Sequence, residues 1–297
     1  MTAKQDIWGE WLLKKRAGGE KISEKQLIER LVPIREQILE KSELKPGEKM
    51  LDVGCGDGLV GFGALEKQKN VQVTFCDVSE HLLDETKKIA QDAGVLDQCH
   101  FINNKAEDLK EIASESIDVV TTRSVLIYVS DKSVALKEFF RVLKKGGRIS
   151  LFEPINSYFK KEDYPPNCYW GLFDVTPFKK TFEKIEKVRA KYTTQVAHDS
   201  MVNFNEKDLF LMAEKAGFSN IHLTLDVWLK NTQPDMSWEA FLEASPNPKA
   251  PKEREILEEA LSEKEFREFS KYMKQLLDKK DTANERFAAS YLKGVKG

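Results

Sequence analysis

The sequence has 297 residues with 41% hydrophobic content, and its 47 Lys and Arg stand against 49 Asp and Glu for a net charge of −2. That length suits one α/β domain with insertions better than two equal domains, and the charge balance speaks against a dedicated nucleic-acid binder, which needs basic residues in excess on one face. Cys55, Cys76, Cys99 and Cys168 stand apart without CxxC or paired-His spacing, so no metal site or disulfide framework is indicated; with no spanning or signal-like apolar run, we expect a cytoplasmic protein with reduced thiols and no membrane partner.

In chain order, Ile7, Trp8, Trp11 and Leu12 fall on one side of a short helix whose end carries Lys14, Lys15 and Arg16 before Gly18 and Gly19. Ser23 and Gln26 form a capping box for a second helix through Leu27, Leu31, Ile34 and Ile38, which Pro33 should kink. Met50, Leu51 and Val53 make a short buried strand that stops at Gly54-Cys55-Gly56-Asp57-Gly58, and Leu59 opens a helical pattern. Glycines there leave no Cβ between main chain and a ligand. The third glycine of a dinucleotide fingerprint is absent, since Leu59 occupies its place, and no Gly-Lys-Ser/Thr marks a P-loop. Asp52 would repel a pyrophosphate and suits a ligand with an ammonium group. Val71–Phe75 alternates as the next strand, and Asp77 at its tip suits the two hydroxyls of a ribose.

Asp52, the glycines and Asp77, on a strand, turn, helix and strand, resemble the class I S-adenosylmethionine (SAM) dependent methyltransferases. The resemblance is close over residues 48–154 and looser out to Val227. It implies a doubly wound, mostly parallel seven-stranded sheet, with SAM as cofactor and S-adenosylhomocysteine as product. On this sequence it places Asp52, Gly54, Cys55, Gly56 and Gly58 around the cofactor's methionyl end, Asp77 on the ribose and Val78 against the adenine. In the family an acid takes the adenine amino group where this chain has Lys105, which moves that contact to Glu107 or the backbone of Ala106. Arg123 and Ser124 would line the cofactor, Tyr128 the methyl path, and Arg16 would reach the carboxylate from an N-terminal helical lid.

Further along, Ser79 caps a helix to Ala93, His100–Ile102 is the third strand, Ile117–Thr122 the fourth, and Asp131 caps the helix before the fifth strand, Ile149–Phe152. The segment Arg123–Val129 lacks the Asp/Asn-Pro-Pro-aromatic signature of adenine-amino methyltransferases, which points to the small-molecule branch. From Asn156 to Asn203 aromatic residues and turn formers accumulate, including Tyr158, Phe159, Tyr164, Tyr169 and Trp170, and Thr176 with Pro177 starts a helix to about Ala190. This reads as a cap over the acceptor. Asn205 starts a helix that Gly217 ends, Ile221–Leu229 is the sixth strand, and Phe287–Leu292 the last. The helical stretch Lys252–Lys279 between them reads as an insertion whose charges face solvent. The organisation is then 1–47 N-terminal helices, 48–155 SAM-binding core, 156–204 cap insertion, and 205–297 the rest of the fold with a helical insertion at about 237–280.

Methyl transfer from a sulfonium is a one-step displacement that rests on alignment, with a base needed only for a protonated nucleophile. Candidates to orient or deprotonate the acceptor are Tyr128, Glu153, Tyr158 and His198. The expected function is methyl transfer to a small molecule. Alternatives are a protein or RNA methyltransferase on the same fold and a non-catalytic SAM-binding module. Oligomeric state is not legible.

Overall fold

The computed structural model describes residues 6, 24–196, 200–232, 236–245, 250–278 and 283–297, and at 24–29, 193–196, 232 and 283 it describes the backbone alone. Arg16 and His198 lie outside these residues. Strands and helices alternate through α1 (Glu24–Ser42), β1 (Lys49–Val53), α2 (Leu59–Lys67), β2 (Gln72–Asp77), α3 (Glu80–Asp92), β3 (Cys99–Asn103), β4 (Ile117–Arg123), α4 (Lys132–Val142) and β5 (Leu143–Pro154). A hairpin of β6 (Cys168–Tyr169) and β7 (Phe173–Asp174) follows, then α5 (Lys179–Val196), α6 (Glu206–Ala216) and β8 (Phe218–Thr232). The chain closes with α7 (Trp238–Glu243), α8 (Glu253–Ala260), α9 (Glu263–Asp278) and β9 (Ala283–Lys296).

The seven long strands form one sheet in the order β3-β2-β1-β4-β5-β9-β8. β1 to β5 run parallel, and β9 is antiparallel to both β5 and β8. Parallel strands need helices on both faces, which is why β1 reads as a nearly unbroken apolar run. Leu51, Val53, Val120 and Leu151 pack on one face with Leu136 and Phe139 of α4 and Leu209 of α6. Met50, Val73, Phe75 and Val119 pack on the other with Ile38 of α1 and Val60 of α2. Because side chains alternate, the same register sends Asp52, Asp77 and Thr121 to the second face and Thr122 and Glu153 to the first. Asp52 lies opposite Phe75 and Thr121 in the ladders. No helix among the described residues is long and apolar enough to cross a membrane.

Local capping follows the sequence. Ser79 Oγ accepts the Leu82 N–H, Asp131 accepts those of Ser133 and Val134, Asn205 accepts that of Asp208, and Gly217 ends α6 at φ +107°. Pro33 lies inside α1, which runs on through it to Ser42. Two expectations are corrected. Thr176 does not cap a helix, because it is the first residue of a 3-10 turn over Thr176–Phe178 whose cap position is Val175, and α5 begins only after that turn. The last two strands are also longer than their apolar runs: β5 stops at Pro154 opposite Ala289, while β8 and β9 stay paired out to Thr232 opposite Ala283. The ribbon therefore overhangs the carboxyl edge of the sheet.

The two insertions do not stand apart in the fold. The cap and the helices before β9 share one apolar core, in which Tyr169, Phe182 and Ile185 pack with Trp238, Leu257 and Phe269. Nor do all their charges face solvent. Glu253 is 2% exposed and accepts from both Arg189 amino groups at 3.0 and 2.6 Å, from Trp170 Nε1 at 3.0 Å and from the Tyr169 hydroxyl.

Candidate functional site

The site begins where β1 ends. The Gly54 and Cys55 N–H groups both donate to the Cys76 carbonyl, at 2.7 and 3.1 Å, so the turn is tied across to β2. Gly54, Gly56 and Gly58 all take positive φ, at 64°, 56° and 78°, a conformation side chains disfavour. A Cβ on Gly54 would stand 2.4 Å from Val125 Cγ2, so the turn also permits a close approach by the loop after β4. Cys55 is 5% exposed, and burial pushes its thiol well above the ordinary value.

α2 starts at Gly58, which offers no capping side chain. Asp52 fills that need from the neighbouring strand: its Oδ2 accepts the Gly61 N–H at 3.1 Å, and its Oδ1 accepts the Thr121 hydroxyl at 3.0 Å. Both oxygens are thus engaged inside the fold, and the residue is 2% exposed. Burial raises its carboxyl to about 7 against the opposing pull of those two hydrogen bonds.

Asp77 closes the turn from the other side. Its Oδ2 accepts the Gly56 N–H at 3.0 Å and its Oδ1 the Ser79 N–H at 3.0 Å. Burial raises its pKa, and the N–H groups oppose the rise. Ser79 also donates to Asp6 at 2.6 Å, which brings an N-terminal residue to the tip of β2. Val78 beside it is 44% exposed and offers an open apolar surface. After β3 the sequence reading missed Asn104. Its amide nitrogen donates to the Asn103 carbonyl at 2.9 Å and Glu111 Oε1 at 3.0 Å, while its buried Oδ1 has no partner among the described residues. The Asn103-Asn104 pair ahead of Lys105 was the available signal. Ala106 is 5% exposed, Glu107 half-buried and Lys105 exposed.

At the end of β4, Arg123 reaches Asp57 of the glycine turn at 3.8 Å. Ser124 takes a left-handed φ of 59° with its N–H on the Phe152 carbonyl at 2.8 Å. The next residues turn once, over Leu126–Tyr128, and Glu153 holds that turn. Glu153 Oε1 accepts from the Thr122 hydroxyl at 2.9 Å and from the Val125 and Leu126 N–H groups at 3.1 and 3.0 Å. Its Oε2 accepts the Ile127 N–H at 3.0 Å. The residue is 1% exposed and burial raises its pKa. As a base for an acceptor Glu153 is therefore corrected: the carboxylate is committed to the loop that carries Tyr128. Tyr128 and Phe159 lie against the same core, and Tyr158 is 41% exposed with its ring 5.0 Å from that of Phe159.

A side-chain-free turn, a carboxylate at the tip of β2, an open apolar residue beside it and an unpartnered buried amide oxygen after β3 fit a nucleoside with a cationic sulfur and an amino-acid tail. Fold and site together define a class I SAM-dependent methyltransferase. The sequence profile of the ubiE/COQ5 methyltransferase family matches residues 31–225, and the chain belongs to that family. It is 27% identical over 182 residues to the ubiquinone/menaquinone biosynthesis C-methyltransferase UbiE of Vibrio vulnificus (strain YJ016), covering 60% of this chain and 67% of the relative. Against UbiE of Cereibacter sphaeroides (strain ATCC 17029 / ATH 2.4.9) the identity is 35% over 109 residues, 37% of this chain and 43% of that one. The fold is shared with the YcgJ protein of Bacillus subtilis, at a TM-score of 0.54, 17% identity and coverage of 88% and 97%. A putative sarcosine dimethylglycine methyltransferase from Galdieria sulphuraria matches at 0.52, 11% identity and coverage of 97% and 95%.

Proposed function

We propose that the methyl acceptor is a small, partly apolar molecule held between the carboxyl ends of β4 and β5 and the cap segment that starts at Ile155, and that carbon is the attacked atom. The observation that carries this reading is the fourfold hold of Glu153 on the loop that ends in Tyr128, because it fixes one wall of the acceptor site against the cofactor cradle. Attack by carbon is carried over from the relatives, which are C-methyltransferases by name.

In this reading Gly54, Cys55, Gly56 and Gly58 give SAM a backbone surface, Asp77 receives the ribose hydroxyls, and Val78, Asn104, Ala106 and Glu107 frame the adenine. Arg123 and Ser124 line the methionyl end. SAM, when bound, supplies a methyl group on a cationic sulfur. Asp52 sets the pitch of α2 beneath the turn, and Glu153 sets the loop above it. Tyr128 and Tyr158 orient the acceptor, whose alignment with the methyl supplies most of the acceleration once water is excluded. Outside the described residues, Arg16 and His198 are proposed at the cofactor carboxylate and the acceptor.

The test is to incubate the protein with a metabolite extract and SAM labelled with carbon-13 in its methyl, then read the product by NMR. A methyl shift typical of attachment to carbon supports the proposal. A methyl on oxygen, nitrogen or sulfur removes the carbon assignment, and label recovered only in macromolecules removes the small acceptor.

A further inference from the structure

The overhanging ribbon of β8 and β9 carries one half-buried arginine that has no carboxylate within 4.0 Å among the described residues. Among the described residues, Arg30, Arg35, Arg123, Arg141, Arg148, Arg189 and Arg254 each have a carboxylate within 4.0 Å. Arg267 has none but stands exposed on α9. Arg286 is half-buried, and among the described residues its partner is a ring: its guanidinium carbon lies 5.4 Å from the centroid of Tyr164 in the cap. Its neighbour Glu285 alternates to the opposite face of the strand and pairs with Arg30 of α1 at 3.7 Å.

Register places this arginine beside the acceptor. Arg286 shares its face of β9 with Ala288, whose carbonyl accepts the Ile155 N–H at 2.8 Å where the cap leaves β5. Ala288 packs in the same core as Ile127 and Ile155, with Tyr128 and Phe159 against it. The rings of Tyr158, Phe159 and Tyr164 follow one another at 5.0 and 6.2 Å between centroids, ending at Arg286. Across the ribbon Arg286 pairs with Leu229, which is 58% exposed. An apolar and aromatic wall thus ends in a planar fork of donors with no counter-charge among the described residues.

A half-buried guanidinium on an aromatic face retains its charge and its free N–H groups, whose geometry matches two oxygens of a carboxylate or phosphate. We propose that Arg286, steadied by Tyr164, is the specificity-determining residue of the acceptor site and takes an anionic oxygen group on an otherwise apolar acceptor. The proposal rests on the placement of the acceptor given above.

The test measures binding of phenyl phosphate, benzoate and uncharged benzyl alcohol to the full chain saturated with S-adenosylhomocysteine, in wild type, R286Q and R286K. Both anions should bind wild type more tightly than the alcohol, and R286Q should weaken them about tenfold or more, leaving the alcohol and the melting temperature unchanged. R286K, which keeps the charge but not the fork, should fall between. Equal binding of charged and uncharged probes, no measurable anion binding, or anion binding unaltered in R286Q each overturn the proposal. Calorimetry of S-adenosylhomocysteine on the same proteins separates the two readings: cofactor binding with indifferent anions rejects only the role of Arg286, whereas loss of cofactor binding in wild type rejects the methyltransferase site itself.

Discussion

Glu153 in the sheet and Glu253 in the helical unit are 1% and 2% exposed, and each accepts four hydrogen bonds, yet they are held in different ways. The donors to Glu153 are neutral, one hydroxyl and three backbone N–H groups, so the carboxylate acts on main chain and shapes a loop beside the cofactor. Glu253 faces the full charge of Arg189, which lies 5.0 Å from the ring of Trp170, and the cluster ties the β6–β7 hairpin to α5 and α8. The difference teaches that a buried acid can serve either alignment or assembly, and that the identity of its donors tells which. Where the donors are dipoles, substitution should change turnover; where a cation holds the acid, it should change stability.

The largest effect is expected where charge would be stranded. Arg189→Ala removes the only cation that faces Glu253 among the described contacts and leaves a buried carboxylate uncompensated, a change that costs about 3–5 kcal/mol in comparable pairs. Chemical denaturation should show that loss, while R189M combined with E253L recovers most of it because the apolar pair needs no counter-charge. If R189A alone unfolds with wild-type stability, the cluster does not hold the unit together. Glu153→Gln comes next. The amide keeps the size of the side chain but replaces an acceptor with a donor opposite N–H groups of the 125–127 turn, so the turn must shift. Turnover should fall by about a hundredfold, the scale of a small misplacement near the reacting atoms, with affinity for S-adenosylhomocysteine little changed. Equal loss of cofactor binding and turnover would place Glu153 in the cofactor site instead.

The same contrast explains what the sequence disclosed. β1, the glycine turn and Asp77 were legible because alternation, positive φ and strand ends are local properties, and Ser79, Asp131 and Asn205 cap helices for equally local reasons. The hold of Glu153 was not, because it depends on β5 pairing with β4 so that Thr122 lies opposite Leu151, next to Glu153 across the ladder. Nor could spacing show that Leu257 and Phe269, which follow β8 in the chain, would meet Tyr169 and Ile185, which precede it; each segment is amphipathic by itself, and nothing local names its partner. Asn104 escaped for a further reason. Its amide looked like one more polar residue after a strand, and only the finished packing leaves its oxygen buried without a donor among the described residues.

The last effect is electrostatic, is spread over the pH range between two pKa values and belongs to Asp52, the acid on the opposite face of the sheet from Glu153. Burial, set against hydrogen bonds from Thr121 and Gly61, raises its carboxyl from the ordinary 3.8 to about 7. Between those values the folded protein keeps a proton that the unfolded chain has released, so the native state binds more protons and stability falls as pH rises from about 4 to about 7, by at most about 1.4 kcal/mol per pH unit. Asp77 and Glu153 are raised in the same direction and add to the slope. Asp52→Asn should remove only its own share. Asparagine can keep both contacts, since its oxygen accepts the Gly61 N–H and the Thr121 hydroxyl can turn to accept from its nitrogen. The check is urea denaturation of cofactor-free wild type and D52N across this pH range: a shallower slope in D52N assigns the titration to Asp52, and parallel slopes assign it to the other acids. A cationic cofactor bound nearby favours the ionised form, so SAM affinity in wild type should rise with pH through about 7 and lose that dependence in D52N.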